Sequence, residues 1–364
     1  MAILTVNIGS STAKLAVFDL GNDPKPIAAT EVTRAASSVI NVWPDELAER
    51  SAAPTAVVHR IVHGGPEYVE PTAITPTVLE SLRRMQQFAP DHLPPALETV
   101  RTAIRVFPDA RQFACFDTAF HRHMPQVARM YPLARRYWDE GVRRYGFHGL
   151  SCESIMEGLG RIDATQASGR VIVAHLGGGA SLTAVVDGRS VDTTMGFSPA
   201  GGVMMGSRSG DLDPGVLLYV MEHESRDAAA LRQLVTREAG LKGVSGRTAD
   251  MRQLLAAEAS DAAASEAINL YCYLLRKALG GLIAVLGGVD TLVFTGGIGE
   301  HAAPIRERVL AGMSGLGFQV DPLRNRSHDA VISSTDSAVT IRVMPSNEDS
   351  VLASHARALL LRST

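Results

Sequence analysis

The sequence predicts an α/β chain of two domains that share a local pattern, and three observations predict it. At 364 residues the chain exceeds what one hydrophobic core comfortably serves. A strand, a glycine turn and a second strand at residues 3–20 recur at 171–187, about half a chain apart, which is what a duplicated domain leaves behind. After each copy, apolar strands alternate with helix-like stretches.

The pattern rests on three glycine-rich turns of phosphate-binding type: NIGSSTAK at 7–14, HLGGGAS at 175–181 and TGGIGE at 295–300. None is expected to open a helix. In the first two, ILTV leads into KLAVFDL and VIVA leads into SLTAVVDG, so each reads as a β-hairpin. Neither matches a Walker loop or a dinucleotide fingerprint, both of which need a specific spacing that opens a helix. What remains is a chain that holds phosphates in hairpin turns, where glycines let backbone N–H groups approach an anion.

Strands are expected at 55–63 and 112–120, with a helix at 77–88 between them. A glycine-dense loop follows at 196–214, then helices near 213–224, 227–238, 248–257 and 261–286. VDTLVFTGGIGE reads as a buried strand ending in a turn, with a helix in HAAPIRERVLAGM. The segment from Ile341 to Leu361 closes as strand, turn and helix.

A hydrophobic share of 46% and a charged share of 20% fit a soluble globular protein. The net charge of −3 gives no case for nucleic acid or a membrane surface as partner. Cys115, Cys152 and Cys272 match no zinc spacing and suit a reducing compartment. The apolar run at 3–6 is too short for a signal peptide, so a cytoplasmic location is expected. The stretch 267–288 is interrupted by Arg276, Lys277 and two glycines and reads as a buried helix, not a span.

Arg60 lies among apolar strand residues and Arg208 inside the glycine loop, so each needs an anionic partner. A structural ion pair, for instance with Asp211 or Glu67, competes with a substrate clamp. His148 sits beside glycines that give a ligand room, against the alternative of a core histidine. His175 starts a phosphate turn. Asp117, Asp213 and Glu348 are carboxylates at strand ends or turns, and one of them with Asn7 would position a hydrated Mg²⁺. His121 and His123 have the wrong spacing for a zincin and read as a loop without metal. Together these groups describe phosphoryl transfer.

At this point the chain resembles the acetate and propionate kinases, within the acetate and sugar kinase, Hsp70 and actin superfamily. The resemblance is carried by NIGSSTAK, HRIVHGG at 59–65, FDTAFH at 116–121, RRYGFHG at 143–149, HLGGGAS, DTTMGFSPAGGVMMGSRSGDLDP at 192–214, GVSGRTADMR at 243–252, TGGIGE and SNED at 346–349. It implies duplicated actin-like ATPase (ribonuclease H-like) α/β domains with a cleft between them, residues 1–117 with 349–364 forming an acyl-kinase domain and 118–348 a nucleotide-binding domain.

By resemblance, Asp117, Arg60, Arg208 and His148 are catalytic, and Asn7 and Glu348 hold Mg²⁺, with Mn²⁺ as an alternative. Lys14, His175, Leu176, Gly177, Gly178, Gly179, Asp250, Met251, Arg252, Gly297, Ile298, Gly299, Glu300 and His301 are expected at ATP. Arg60, Val62, Asp91, Phe147 and Pro199 are expected at the acyl substrate, and a homodimer is implied. Three places depart from the family pattern: Gly178 and His301 each stand where Asn is usual, and Asp91 and Leu93 stand where Leu and Asn are usual.

The implied reaction is reversible ATP-dependent phosphorylation of acetate to acetyl phosphate by direct in-line transfer. A carboxylate is already ionised, so the site needs orientation and charge neutralisation without a general base. Alternatives are another short-chain carboxylate such as propionate, a hydroxyl acceptor with Asp117 as base, and a catalytically silent nucleotide-binding protein.

Overall fold

The computed structural model describes residues 2–8, 12–21, 24–33 and 53–362. Contacts divide the chain into two units: Met1–Arg122, Phe147–Ser154 and Asn347–Thr364 in the first, His123–Gly146 and Ile155–Ser346 in the second. Beyond the expected 1–117 and 349–364, the first unit thus takes in 118–122, 147–154 and residues 347 and 348.

The first unit is built on a sheet of order β3-β2-β1-β4-β6-β5. Its strands are β1 Ala2–Ile8, β2 Thr12–Asp19, β3 Pro26–Thr33, β4 Ala56–Ile61, β5 Thr72–Ala73 and β6 Arg111–Phe116. β1, β2 and β3 form an antiparallel meander, and β4 and β6 extend it in parallel on the other side of β1. The expected hairpin is present, with Ile8 opposite Ala13. Its apex, residues 9–11, lies outside the described residues.

Because successive side chains point to opposite faces, a strand covered on both sides reads as continuously apolar. Ala2, Leu4 and Val6 pack with Val57 and with Ala103 of the helix Leu93–Val106. Ile3 packs with Val58, Phe113 and Cys115 against Val351, Leu352 and Ala356 of the C-terminal helix Glu348–Leu361.

The second unit repeats this plan. Its strands are β7 Arg170–Leu176, β8 Ala180–Val186, β9 Arg189–Thr193, β10 Thr291–Thr295 and β11 Thr340–Val343, in the order β11-β10-β7-β8-β9. Again a meander is extended by two parallel strands on the far side of its first strand. The duplication expected from 3–20 and 171–187 is therefore a duplication of whole sheets.

Three expectations are corrected. TGGIGE does open a helix, Gly296–His301, directly on the end of β10. The turn closes because Gly296 adopts φ +77° and its N–H donates to Glu300 Oε1 at 2.9 Å. The helix of 227–238 is α-helical only over Ala228–Gln233 and ends in a π turn, Leu234–Glu238. The strand expected over 112–120 ends at Phe116, and residues 119–123 form a 3₁₀ turn in place of its last two residues and the loop expected after them.

The helix Ala262–Leu286 buries one face, Ala264, Ala267, Ile268, Tyr271, Leu275, Leu279 and Leu282, at helical spacing. Its other side exposes Leu270, Tyr273 and Val285. By length and composition it could cross a membrane, and a third of its most apolar window is buried.

Two buried histidines give the first unit an acid sensitivity. His59 Nε2 lies 2.9 Å from Gln112 Oε1 while its Nδ1 is buried without a hydrogen-bond partner, and His121 Nε2 lies 2.9 Å from Phe147 O. Burial pulls each pKa down to about 4. The neutral forms therefore stabilise the fold fully above the unfolded pKa of about 6.5, and that stability is lost as pH falls toward 4. Urea unfolding should show a loss of roughly 2 kcal/mol per histidine by pH 5, and His121→Gln should remove about half of the acid dependence. An acid limb unchanged in both His121→Gln and His59→Gln would refute this origin.

Candidate active site

Strand parity assembles the first cluster. Ile3, Thr5 and Asn7 of β1, Ala56, Val58 and Arg60 of β4, and Phe113, Cys115 and Asp117 at the end of β6 all follow the two-residue period that faces the C-terminal helix. The apolar members form core; the polar ones fall at the carboxyl ends of parallel strands, where open α/β sheets place their ligands.

There Arg60 donates from Nε to Asp117 Oδ1 at 2.9 Å and from Nη2 to Asp117 Oδ2 at 2.7 Å. Its Nη1 donates to Asn7 Oδ1 at 3.0 Å and lies 3.2 Å from Glu348 Oε2, which also accepts from Asn7 Nδ2 at 2.9 Å. The partner of Arg60 is thus neither Glu67, which accepts from Ser81, nor Asp211, which accepts from Gly202 N–H.

Burial opposes the Arg60 charge, but Asp117 and Glu348 outweigh it and raise its pKa above the ordinary value. Burial pushes the Asp117 carboxyl up, Arg60 pulls it down and Glu348 adds to the rise, so it titrates above an ordinary aspartate. Two donors on its two oxygens fit the carboxylate form. Lys14, opposite Asn7 on β2, is half-exposed and 3.7 Å from Glu31.

His148 follows at the start of the helix Gly149–Ile162. Its φ of +56° is unusual for a residue with a side chain and is held by the backbone on both sides: Gly149 N–H donates to Asp117 O, and Cys152 N–H to His148 O. A Cβ at Gly149 would collide with Asp117 O. Phe147 is buried and meets the ring of His63 edge-on, His63 in turn stacking on Phe88. Val62 is buried beside them in sequence, and Asp91 is half-buried in the turn before the helix Leu93–Val106.

The second unit assembles the glycine turns. His175 pairs in register with Thr295, and Gly296 lies so close to Leu176 that a Cβ would sit 2.7 Å from Leu176 O. Gly177 N–H donates to Gly179 O at 2.8 Å, while a Cβ added at Gly178 or Gly297 would meet nothing within 4 Å. Gly206 N–H reaches Gly178 O at 3.3 Å and the Gly206 backbone packs on Ala249, which brings Asp250, Met251 and Arg252 to the same turns.

Asp250 caps the helix Met251–Ala257 and holds Arg252 by two side-chain bonds of 3.1 and 2.7 Å, which lower its pKa. The Arg252 side chain remains 91% exposed, so its charge is oriented yet open to a ligand. Met251 is buried, Ile298 and Gly299 lie within the short helix, and His301 at its end is exposed. Arg208 Nη1 donates to Pro199 O at 2.6 Å.

Sequence reading missed three supports. Thr5 Oγ1 lies 3.2 Å from Asp349 Oδ1 and 3.3 Å from Ala16 O, so Asp349 joins the first cluster. Thr5 shares the parity of Asn7 inside an otherwise apolar strand, and that was the available signal. Burial, with Glu348 next, raises the Asp349 pKa.

In the second unit Arg306 is fully buried and donates to Gly299 O, Glu300 O, Asn325 Oδ1 and Asn325 O at 2.7–2.8 Å, fixing the TGGIGE helix from below. Burial draws its pKa down to about 10. No local pattern announces it.

The profile of the acetokinase family matches residues 27–354. The chain belongs to the acetokinase family. It is 47% identical over 315 residues to the acetate kinase of Methylocella silvestris, covering 85% of this chain and 78% of that one. The crystal structure of Porphyromonas gingivalis acetate kinase is similar at TM-score 0.88 and 32% identity, covering 99% of both chains. A propionate kinase from Francisella tularensis subsp. tularensis SCHU S4 gives TM-score 0.89 and 32% identity over 98% of this chain and 99% of that one. The protein is a phosphotransferase with a carboxyl group as acceptor, on duplicated actin-like ATPase domains.

The first cluster suits the Mg²⁺ such enzymes employ. Asp117, Glu348 and Asp349 place three carboxylates around one buried guanidinium, an acidic excess with oxygen donors only. Among the described residues no group of three or more His, Cys, Asp or Glu is placed to hold a metal. For the glycine turns, Gly296→Ala should lower the stability of the second unit by about 1–3 kcal/mol and weaken ADP binding, read by urea unfolding and calorimetry. Wild-type ADP affinity in this variant would separate the turn from the nucleotide.

Proposed function

We propose that the protein reversibly transfers the γ-phosphoryl of ATP to acetate, giving acetyl phosphate and ADP by direct in-line displacement. The observation that carries this reading is the state of Asp117. Both of its oxygens accept from Arg60, so in this arrangement neither is turned toward an acceptor hydroxyl. A hydroxyl acceptor needs a base; a carboxylate acceptor does not.

In this reading Asn7 and Glu348 hold Mg²⁺, or Mn²⁺ in its place, and the bound ion neutralises phosphate charge. Three of the five Arg60 N–H donors go to Asp117 and Asn7, with Nη1 also 3.2 Å from Glu348 Oε2, and the second Nη2 N–H serves the acceptor carboxylate. Val62, Phe147 and Pro199 line the small acyl group, with Asp91 near its edge. His148, His175 and Arg208 supply donors to phosphoryl oxygens, stabilising charge as it spreads in a loose transition state. His175 through Gly179, Asp250 through Arg252 and Gly297 through His301 hold the nucleotide, and Lys14 adds positive charge beside Asn7.

The partners are thus a short carboxylate and ATP or ADP, in the cytoplasm, where cysteines outside disulfides such as Cys115, Cys152 and Cys272 persist. A second copy of the chain completes the assembly. The helix Pro214–Glu224 has no buried residue yet exposes Val216, Leu218, Tyr219 and Met221, an apolar surface suited to self-association.

ATP-dependent acyl hydroxamate formation across a panel of short acids should be greatest with acetate. Arg60→Ala and Arg208→Ala should each lower kcat by about two to four powers of ten with little change in ATP affinity. Activity on an alcohol but on no acid would overturn the assignment. For the assembly, light scattering should show a dimer that Leu218→Glu with Tyr219→Glu converts to monomer; a wild-type monomer at micromolar concentration would refute it.

A further inference from the structure

We propose that Ser154 is a positioning residue for the metal-binding end of the C-terminal helix, the strut that ties Glu348 to the segment carrying His148. The proposal rests on the reading of Glu348 as a Mg²⁺ ligand. Glu348 is the first residue of its helix, and the residue before it, Asn347, caps that helix by accepting from Ser350 N–H at 3.0 Å. A cap fixes how the helix begins but not where its end sits. To the contacts that place it, the Asn347 N–H adds one by donating to Ser154 Oγ at 2.8 Å.

The bond closes a ring. Ser154 lies on the helix that begins at Gly149, immediately after His148, and Gly149 N–H donates to Asp117 O at 2.9 Å. The Asp117 carboxylate is bound by Arg60, Arg60 Nη1 meets Glu348 Oε2 at 3.2 Å, and Glu348 adjoins Asn347. Three elements that each deliver one functional group, the end of β6, the start of the His148 helix and the start of the C-terminal helix, are therefore linked in a circuit. Of its links, the one through Ser154 is made by a side chain that touches none of those groups.

A second strut lies one residue away, where Glu153 Oε1 and His355 Nε2 approach to 2.9 Å, both about a quarter exposed. It joins the same two helices farther from the cluster. Nearer Glu348 the same helices share the buried core of Leu150, Val351, Leu352, Ala353 and Ala356, while a pocket of about 230 Å³ lies beyond the Glu153–His355 contact, lined by Cys115, Glu153, His355, Ala358 and Leu359.

Removing one hydroxyl should consequently loosen the position of Glu348 without removing any group from the site. Ser154→Ala should raise the Mg²⁺ concentration for half-maximal rate by about five- to tenfold, the effect of one net hydrogen bond, with kcat at saturating Mg²⁺ within about threefold of wild type. Mn²⁺ binding in the presence of ADP, followed by electron paramagnetic resonance without turnover, should weaken by the same factor. Ser154→Thr, which keeps the hydroxyl, should restore both.

Glu348→Gln serves as the reference. If it leaves Mn²⁺ binding unchanged, the metal reading falls and this inference with it. If Glu348→Gln weakens Mn²⁺ while Ser154→Ala leaves Mn²⁺ and Mg²⁺ dependence within twofold of wild type, the inference alone is overturned, whatever its effect on thermal stability.

Discussion

The bidentate pair between Arg60 and Asp117 organises the first unit. A guanidinium placed inside a sheet is tolerated only with full compensation, since an uncompensated buried charge costs several kcal/mol. Asp117, Asn7 and Glu348 provide that compensation from three separate stretches of chain. The end of β1, the end of β6 and the start of the C-terminal helix must therefore arrive together for any of them to be satisfied. The same constraint engages both oxygens of Asp117 on one guanidinium.

The second unit meets a different requirement with different means. Its glycine turns present backbone more than side chains. The crowding at Gly296 and the open space at Gly178 and Gly297 reflect that choice. Arg306 sits beneath this surface with carbonyl and amide oxygens as its principal partners. Its charge stabilises the C-terminal end of a single-turn helix, where carbonyls would otherwise be unsatisfied.

Much of this was legible in the sequence. The alternation in AILTVNI, AVVHRI and RQFACFD places Asn7, Arg60 and Asp117 on one face, and the recurrence of strand, glycine turn and strand announces the duplication. Two kinds of feature were not legible. The helix at TGGIGE was missed because its first residue needs a left-handed backbone and is closed by Glu300 four residues on, a bond invisible to hydrophobic periodicity. Asp349, Ser154 and Arg306 were missed because their partners lie far away in the chain or in its backbone, and each looks like an ordinary polar residue on a helix. The helix Ala262–Leu286 was expected to be buried, but composition does not reveal that only one of its faces is.

The first unit is made from both early and late parts of the chain, and that has a consequence for the order of events during synthesis. Strands β1 to β6 leave the ribosome long before Glu348 and Asp349, and N-terminal regions begin to fold as they emerge. Until the last helix is made, one face of the sheet lacks Val351, Leu352 and Ala356, and Arg60 lacks one of its counter-charges. The second unit, nearly continuous in sequence, can finish first. A nascent chain thus completes the glycine turns of its second unit before the acidic cluster of its first, which waits for the final helix to dock.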